Sequence, residues 1–349
     1  MVSAAAPQPG TASVADGAGL LAEVVRGELV ESVHLGHLVV LAPSGEPVLT
    51  VGDPGAVVYP RSSLKPLQAV AMLRSGLDLP GRLLALAAAS HNGEPVHLDG
   101  AREILDAAGL GLDALQNTPD LPLHAPSALA WQQAGHGPEP VAQNCSGKHA
   151  AMLATCVAAG WDTATYRDPG HPLQRAVADV VRELTGDEAP PHVTVDGCGA
   201  PLLSTTLEGL ARAFARMATA PEGSAEAQVA AAMSAHPEMV GGTGRDVTDA
   251  MRAVPGLFCK DGAEGVYAGA LPSGAAFAFK VLDGAGRPRP ALLAAVLRAA
   301  GALDVPGADA GALDALGTVP VLGHGEPVGE VRVPFAAAVA PGRAAEVRA

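Results

Sequence analysis

The sequence predicts a mixed α/β fold of the α+β kind, an antiparallel sheet flanked by helices with a helical subregion. Three observations carry this. β-Branched and alternating apolar residues cluster at residues 23–32, 37–41 and 47–52, with a Pro43-Ser44-Gly45-Glu46 turn before the third run, the pattern of an antiparallel meander. A second cluster at residues 257–262, 265–270 and 275–281 reads as a strand end followed by a hairpin pair. Between them run helical patterns, several closed by glycine.

Taken in order, a helix opens at Ser62 or Ser63 and stops at Gly76, with Leu64, Leu67, Ala71 and Leu73 on its apolar side. Pro66 is tolerated in its first turn, where a missing N–H costs little. Residues 83–89 form a buried helical or extended run that empties into Ser90-His91-Asn92-Gly93-Glu94, which has turn chemistry. Helices follow at 96–108, 127–135, 147–159 and 172–184, then a strand at 193–195 leading into Asp196-Gly197-Cys198-Gly199. Further helices at 207–218, 225–235 and 246–253 frame Gly241-Gly242-Thr243-Gly244, which lacks the Lys-Ser/Thr ending of a nucleotide loop and reads as a cap or substrate-side loop. A helix at 290–300 and a strand at 329–333 close the pattern. His34 and His37 have no third ligand nearby and are expected as strand-face residues.

Composition narrows the function. The chain has 349 residues, enough for one enzyme-sized globule, and 48% of them are hydrophobic but only 3% aromatic, so Ala, Val and Leu must fill the core. A net charge of −14 argues against a nucleic-acid partner, because phosphate neutralisation needs clustered Lys and Arg. No apolar run is long enough to span a membrane. Residues 1–20 read as a loose tail without a basic and then apolar leader, which makes a cytoplasmic protein the expectation. Four cysteines in so long a chain do not make a disulfide framework.

Lysine usage is more telling. Only Lys65, Lys148, Lys260 and Lys280 occur, against eighteen arginines, so the survivors mark places where arginine's permanent charge would not serve. Lys65 lies three residues after Ser62, on the same helical face, and a neutral lysine in a poorly solvated cleft can take a serine's proton as it attacks. Ser62-x-x-Lys65, Ser90-x-Asn92 and Lys260-x-Gly262 repeat the order found in active-site serine acyltransferases of the β-lactamase and penicillin-binding type. In that chemistry Lys65 activates Ser62, while Ser90, relayed by Lys260, handles the proton of the leaving amine. Cys145-x-x-Lys148 with Cys198 is open to two readings: buried thiols by default, or a soft or borderline metal site.

Together, Val30-Glu31-Ser32, Gly52-Asp53-Pro54, Pro60-Arg61-Ser62-Ser63-Leu64-Lys65-Pro66, Ala89-Ser90-His91-Asn92-Gly93-Glu94, Asn144-Cys145-Ser146-Gly147-Lys148-His149, Asp196-Gly197-Cys198-Gly199, Pro237-Glu238-Met239-Val240-Gly241-Gly242 and Lys260-Asp261-Gly262-Ala263-Glu264-Gly265 resemble the rhizobial-type L-asparaginase family, also called asparaginase II. The resemblance implies a serine β-lactamase/transpeptidase-like fold and a single catalytic domain over residues 21–349. It implies hydrolysis of L-asparagine to L-aspartate and ammonia through two Ser-Lys tandems, Ser62 with Lys65 and Ser90 with Lys260. It further implies a homodimer and one zinc ion, structural or substrate-positioning, held by Cys145, Lys148 and Cys198. The zwitterionic end of asparagine needs a cation and an anion, for which Arg61 and Asp196 are candidates, with His149 near the amide. Rival expectations are a β-lactamase-like or other amide acyl hydrolase or transferase, and a non-catalytic zinc-stabilised scaffold.

Overall fold

The N-terminal β-branched runs form three antiparallel strands, β1 (Gly19–Arg26), β2 (Leu29–Leu41) and β3 (Pro47–Val51). The structure, a computed structural model, describes residues 14–188 and 191–339. The expected loose tail therefore lies outside the described residues as far as position 13, and its last two members, Gly19 and Leu20, are already strand. Thirteen residues long, β2 pairs with β1 through its first half and with β3 through its second, along one edge. Gly36 stands at the changeover, where a Cβ would fall 2.0 Å from the Lys280 carbonyl oxygen, so only glycine lets the next strand close in.

A two-residue strand, β4 (Val57–Val58), leads to a 3₁₀ turn at Arg61–Leu64 and helix α1 (Lys65–Arg74). The helical subregion follows as α2 (Gly81–Ala87), α3 (Pro95–Ala107), α4 (Ala125–Gln133), α5 (Ser146–Ala159) and α6 (Pro172–Thr185). Proline in the first turn starts α3, α4 and α6, and Gly160 and Gly186 end α5 and α6 in the left-handed conformation that glycine adopts without strain. A small hairpin, β5 (Val193–Val195) with β6 (Pro201–Leu203), presents the turn 196–200, and β7 (Thr205–Thr206) pairs with β4.

Four helices come next: α7 (Leu207–Ala218), α8 (Ala225–Ala235), the short α9 (Pro237–Val240) and α10 (Asp246–Ala253). The C-terminal strands are β8 (Phe258–Asp261), β9 (Val266–Ala270) and β10 (Ala276–Val281). After them lie α11 (Arg289–Ala299), α12 (Ala310–Gly317), β11 (Pro320–Gly323) and β12 (Glu326–Arg332).

Both strand groups join one antiparallel sheet in the order β11-β12-β1-β2-β10-β9-β8, with β3 also on β2. The result is a curled antiparallel sheet flanked by helices, as the sequence predicted, and it is consistent with the β-lactamase/transpeptidase-like architecture that the family resemblance implies. Helix α7 covers β2, β9 and β10. Its Phe214 stacks on Phe258, and Tyr267 stacks with Phe277 and Phe279, so the few aromatics concentrate where helix meets sheet. Ala, Val and Leu fill the remainder. His34 and His37 lie buried on β2, the first bonded to Asp283 and the second to the Asp53 backbone N–H. Among the described residues no helix is long and apolar enough to cross a membrane.

Candidate active site

Pro66 decides how Ser62 is presented. Lacking an N–H, it cannot donate to the carbonyl of Ser62 four residues back, and its ring would crowd that carbonyl. The Lys65 N–H bonds the Ser62 carbonyl instead, closing a 3₁₀ turn, and α1 begins only at Lys65. Ser62 thus sits one turn ahead of the helix that the sequence led us to expect it to open. Arg61 adopts φ 52°, a left-handed conformation rare for a side chain of its size. The next residue, Ser63, is buried and donates from Oγ to the Lys260 carbonyl at 2.9 Å. Gly262 permits this approach: a Cβ there would fall 2.5 Å from the Pro60 carbonyl oxygen and 3.0 Å from Ser63 Oγ.

The Lys65 amine is fully buried and has three acceptors: the Ala89 carbonyl at 2.5 Å, Ser90 Oγ at 3.0 Å and Cys145 Sγ at 3.1 Å. Ser90 is thereby brought to Lys65, whereas no hydrogen bond joins the Ser62 hydroxyl to it. The segment around Ser90 is clamped on both sides. Ser90 and Asn92 donate their backbone N–H groups to the Val240 and Gly241 carbonyls, and His91 donates to that of Asn144. The Asn92 amide donates to the Thr243 carbonyl at 2.9 Å, and Gly242, at φ 109°, leaves no room for a Cβ beside it. The glycine-rich loop is therefore the brace of the Ser90 segment.

Lys260 points elsewhere than expected. Its amine donates to Asp261 Oδ1 at 2.5 Å and to the Asp261 carbonyl at 2.7 Å, and no hydrogen bond links it to Ser90. Burial pushes its pKa down to about 8, with the charge of Lys65 and Arg245 acting in the same direction and Asp261 opposing. For Asp261 burial opposes ionisation, but Lys260, Arg245 and Arg289 outweigh it and hold the carboxyl well below the usual carboxylate range. Arg245 and Arg289 were not singled out in the sequence. Arginine is common in this chain, and only the fold carries these two to Asp261.

Arg61 Nε donates to Asp196 Oδ1 at 2.7 Å, so the two expected holders of a zwitterion are neighbours. A cation and an anion side by side match the carboxylate and ammonium that an α-amino acid carries on one carbon. Thr118 donates to the Gly197 carbonyl at 2.8 Å and ties the 116–124 loop to the same turn. His149, on α5, is buried with Nδ1 on the Tyr166 hydroxyl at 2.7 Å, and its Nε2 has no hydrogen-bond partner. Burial, aided by the Lys148 charge, pushes its pKa down to about 4.

The expected zinc site requires correction. Cys145, Lys148 and Cys198 do come together, but as a hydrogen-bonded set: Lys148 donates to Cys198 Sγ at 3.1 Å, and Cys145 and Cys198 pack with Ala200. Although burial works against its charge, Cys198 and Cys145 hold the Lys148 pKa above that of free lysine. The Cys198 thiol is driven far down, first by its hydrogen bond with Cys145 and then by Lys148 and His149, against the cost of burial. Among the described residues no group of three or more His, Cys, Asp or Glu side chains converges where it could hold a metal ion. Two sulfurs without a third such side chain fall short of the ligand set that zinc requires.

The model of the L-asparaginase II family matches residues 22–333, nearly the whole chain. The protein belongs to that family, and its membership is consistent with an amidohydrolase-type activity on a small-molecule amide. No curated protein sequence matches it. Among solved structures, a β-lactamase from Mycobacterium bovis is 18% identical, with a TM-score of 0.43 over 76% of this chain and 94% of that one. Mglu in its native form is 15% identical, with a TM-score of 0.37 over 71% of this chain and 59% of that one. Mglu in its glutamate form is 14% identical, with the same TM-score of 0.37 over 71% and 55%.

Proposed function

We propose that the protein is an L-asparaginase that hydrolyses L-asparagine to L-aspartate and ammonia by serine–lysine catalysis. The observation that carries this reading is the buried Lys65 amine 3.0 Å from Ser90 Oγ, immediately after the turn that holds Ser62. Arg61 belongs to the same turn, and its pair with Asp196 suits the charged end of an amino acid.

A serine Oγ attacks the side-chain amide carbon while its proton passes to a neutral lysine amine. The C–N bond then breaks, the nitrogen takes that proton and leaves as ammonia, and an acyl ester remains on the serine. Water attacks the ester, its proton returns by the same route, and aspartate departs. Ser62 is the leading nucleophile. The 3.0 Å contact between Lys65 and Ser90 favours a second reading in which Ser90 is acylated and Ser62 serves the proton. Lys260, about 8 in pKa, is a base or relay poised near working pH.

Ammonia release from L-asparagine by the purified protein tests the activity. Ser62→Ala is expected to lower kcat on the order of a thousandfold or more. Undiminished release would remove Ser62 as nucleophile, and intact-mass detection of the acyl-enzyme in Ser62→Ala and Ser90→Ala assigns the ester. Stable labelling by penicillin-type acylators without ammonia release would instead favour a β-lactamase-like enzyme, and no turnover of any amide a scaffold. A homodimer belongs to the same proposal and is read by sedimentation velocity.

A further inference from the structure

Arg245 lies at the end of the glycine-rich loop and spans two halves of the site. Nη1 donates to the Ser90 carbonyl at 3.2 Å and to Asn92 Oδ1 at 3.4 Å, and Nη2 donates to Asp261 Oδ2 at 2.6 Å. The other carboxylate oxygen of Asp261 receives the Lys260 amine at 2.5 Å. One carboxylate therefore joins guanidinium to amine, and one guanidinium joins that carboxylate to the Ser90 backbone. Asp246, the next residue, accepts from Arg289 Nε at 3.1 Å and from its Nη2 at 2.9 Å, and Arg289 stands 3.8 Å from Asp261.

We propose that Arg245 is a positioning residue of the acyl-transfer site: it fixes the Ser90 segment and the Asp261–Lys260 pair in one frame and draws half of the Asp261 carboxylate away from the lysine. The inference rests on the serine–lysine reading above. A planar guanidinium with donors facing two directions can make this span, while a lysine ammonium reaches one end of it.

The charged and titratable groups that act on Lys260 are Asp261 and Cys259 on its own strand, Lys65 from α1, His91 from the Ser90 segment and Arg245 before α10, with Arg289 from α11 acting through Asp261. Their balance fixes the sign of the test. Removing the positive Arg245 strengthens the hold of Lys260 on its proton, so activity that needs the neutral amine must move to higher pH.

The experiment follows kcat/KM for L-asparagine against pH in wild type, Arg245→Gln and Arg245→Lys, with circular dichroism to verify folding. Arg245→Gln is expected to shift the acid limb up by about one unit, which lowers activity about tenfold on that limb and restores most of it above pH 10 or so. Arg245→Lys keeps the charge but not the span, so its limb stays in place while kcat falls about tenfold. A glutamine variant that is slower with an unshifted limb overturns the inference, as does a lysine variant equal to wild type. If Arg245→Gln does not fold, the lysine variant alone decides.

NMR of isotope-labelled lysine follows the Lys260 titration directly, aided by there being four lysines to resolve. An upward move of that titration in Arg245→Gln supports the inference even if the wild type releases no ammonia from asparagine, which would sink the functional reading alone. An unmoved titration rejects the role of Arg245 whatever the substrate.

Discussion

Lys148 and Lys260 are both fully buried amines, yet the protein drives their protons in opposite directions. Burial opposes the charge of each, so burial does not distinguish them. Neighbours do. Beside Lys148 stand two sulfurs, the Cys198 thiol driven down in pKa by its hydrogen bond with Cys145, and a histidine kept neutral by burial. Beside Lys260 one carboxylate is divided among an amine and two guanidiniums, with Lys65 adding a further positive charge. The first group is balanced by pairing and retains its proton. The second has more cations than Asp261 can satisfy, and its lysine is the member able to yield.

The largest expected effect breaks the second group. Asp261→Asn removes the anion shared by Lys260 and Arg245 and leaves both charges uncompensated, which should destabilise the fold by about 3–5 kcal/mol. Urea unfolding measures it. A loss below about 1 kcal/mol would mean that water takes over the role of Asp261, and the contrast with Lys148 would then lose its cause.

The pH dependence of stability reads the two lysines apart. Lys260 has a folded pKa of about 8 against 10.5 for free lysine, so between these values the unfolded chain binds more protons and stability rises with pH. The change is at most about 3 kcal/mol over that window. Lys148 has a raised pKa, so its contribution is fully present below the free-lysine value and is lost as pH climbs beyond it. Relative to Lys260→Met, the wild type should gain stability from about pH 8 upward. Relative to Lys148→Met, its advantage should stay flat there and fall at higher pH. Parallel curves for the two differences would contradict the opposite assignments.

Much of this was legible in the sequence, and the part that was not has a physical reason. Alternation and glycine punctuation located both strand groups and nearly every helix, because those signals are local. They could not show that β10 lies against β2, which depends on the pairing of distant strands. Lysine scarcity picked out Lys65, Lys148 and Lys260, and the Arg61 and Asp196 candidates meet in space. Partner choice was not readable. Lys65 bonds Ser90 because Pro66 leaves Ser62 in a 3₁₀ turn ahead of the helix, and Lys260 folds back on Asp261 because that residue ends its strand. The zinc expectation failed on ligand count, since among the described residues no third His, Cys, Asp or Glu side chain joins Cys145 and Cys198, and a motif does not show which distant side chains the fold brings beside it.

A smaller effect probes the backbone beside Lys260. Gly262→Ala puts a methyl 2.5 Å from the Pro60 carbonyl oxygen, so the Ser62 turn and the end of β8 must separate. A cost of about 1–3 kcal/mol is expected. Activity should fall more than stability does, because the displaced turn carries Ser62 and Arg61. Unchanged kcat in a folded Gly262→Ala variant would show that contact between the turn and β8 is not needed for turnover.

The smallest effect lies in the Lys148 group. Tyr166 accepts a hydrogen bond from the Gln116 N–H at 3.3 Å and shares another with His149 Nδ1 at 2.7 Å. Tyr166→Phe removes one oxygen, creates no large cavity and should cost about 1–2 kcal/mol. The revealing measurement is the His149 titration by NMR. Its low pKa, about 4, has burial and the Lys148 charge as its leading causes, and Tyr166→Phe changes neither. The imidazole should therefore remain neutral throughout the neutral range in that variant. In Lys148→Met, by contrast, its pKa should rise, because the nearer cation has been withdrawn, leaving burial and the weaker Lys65 charge against the opposing pull of Cys198. A rise in Tyr166→Phe equal to that in Lys148→Met would make the tyrosine, rather than the buried ammonium, the group that keeps His149 unprotonated.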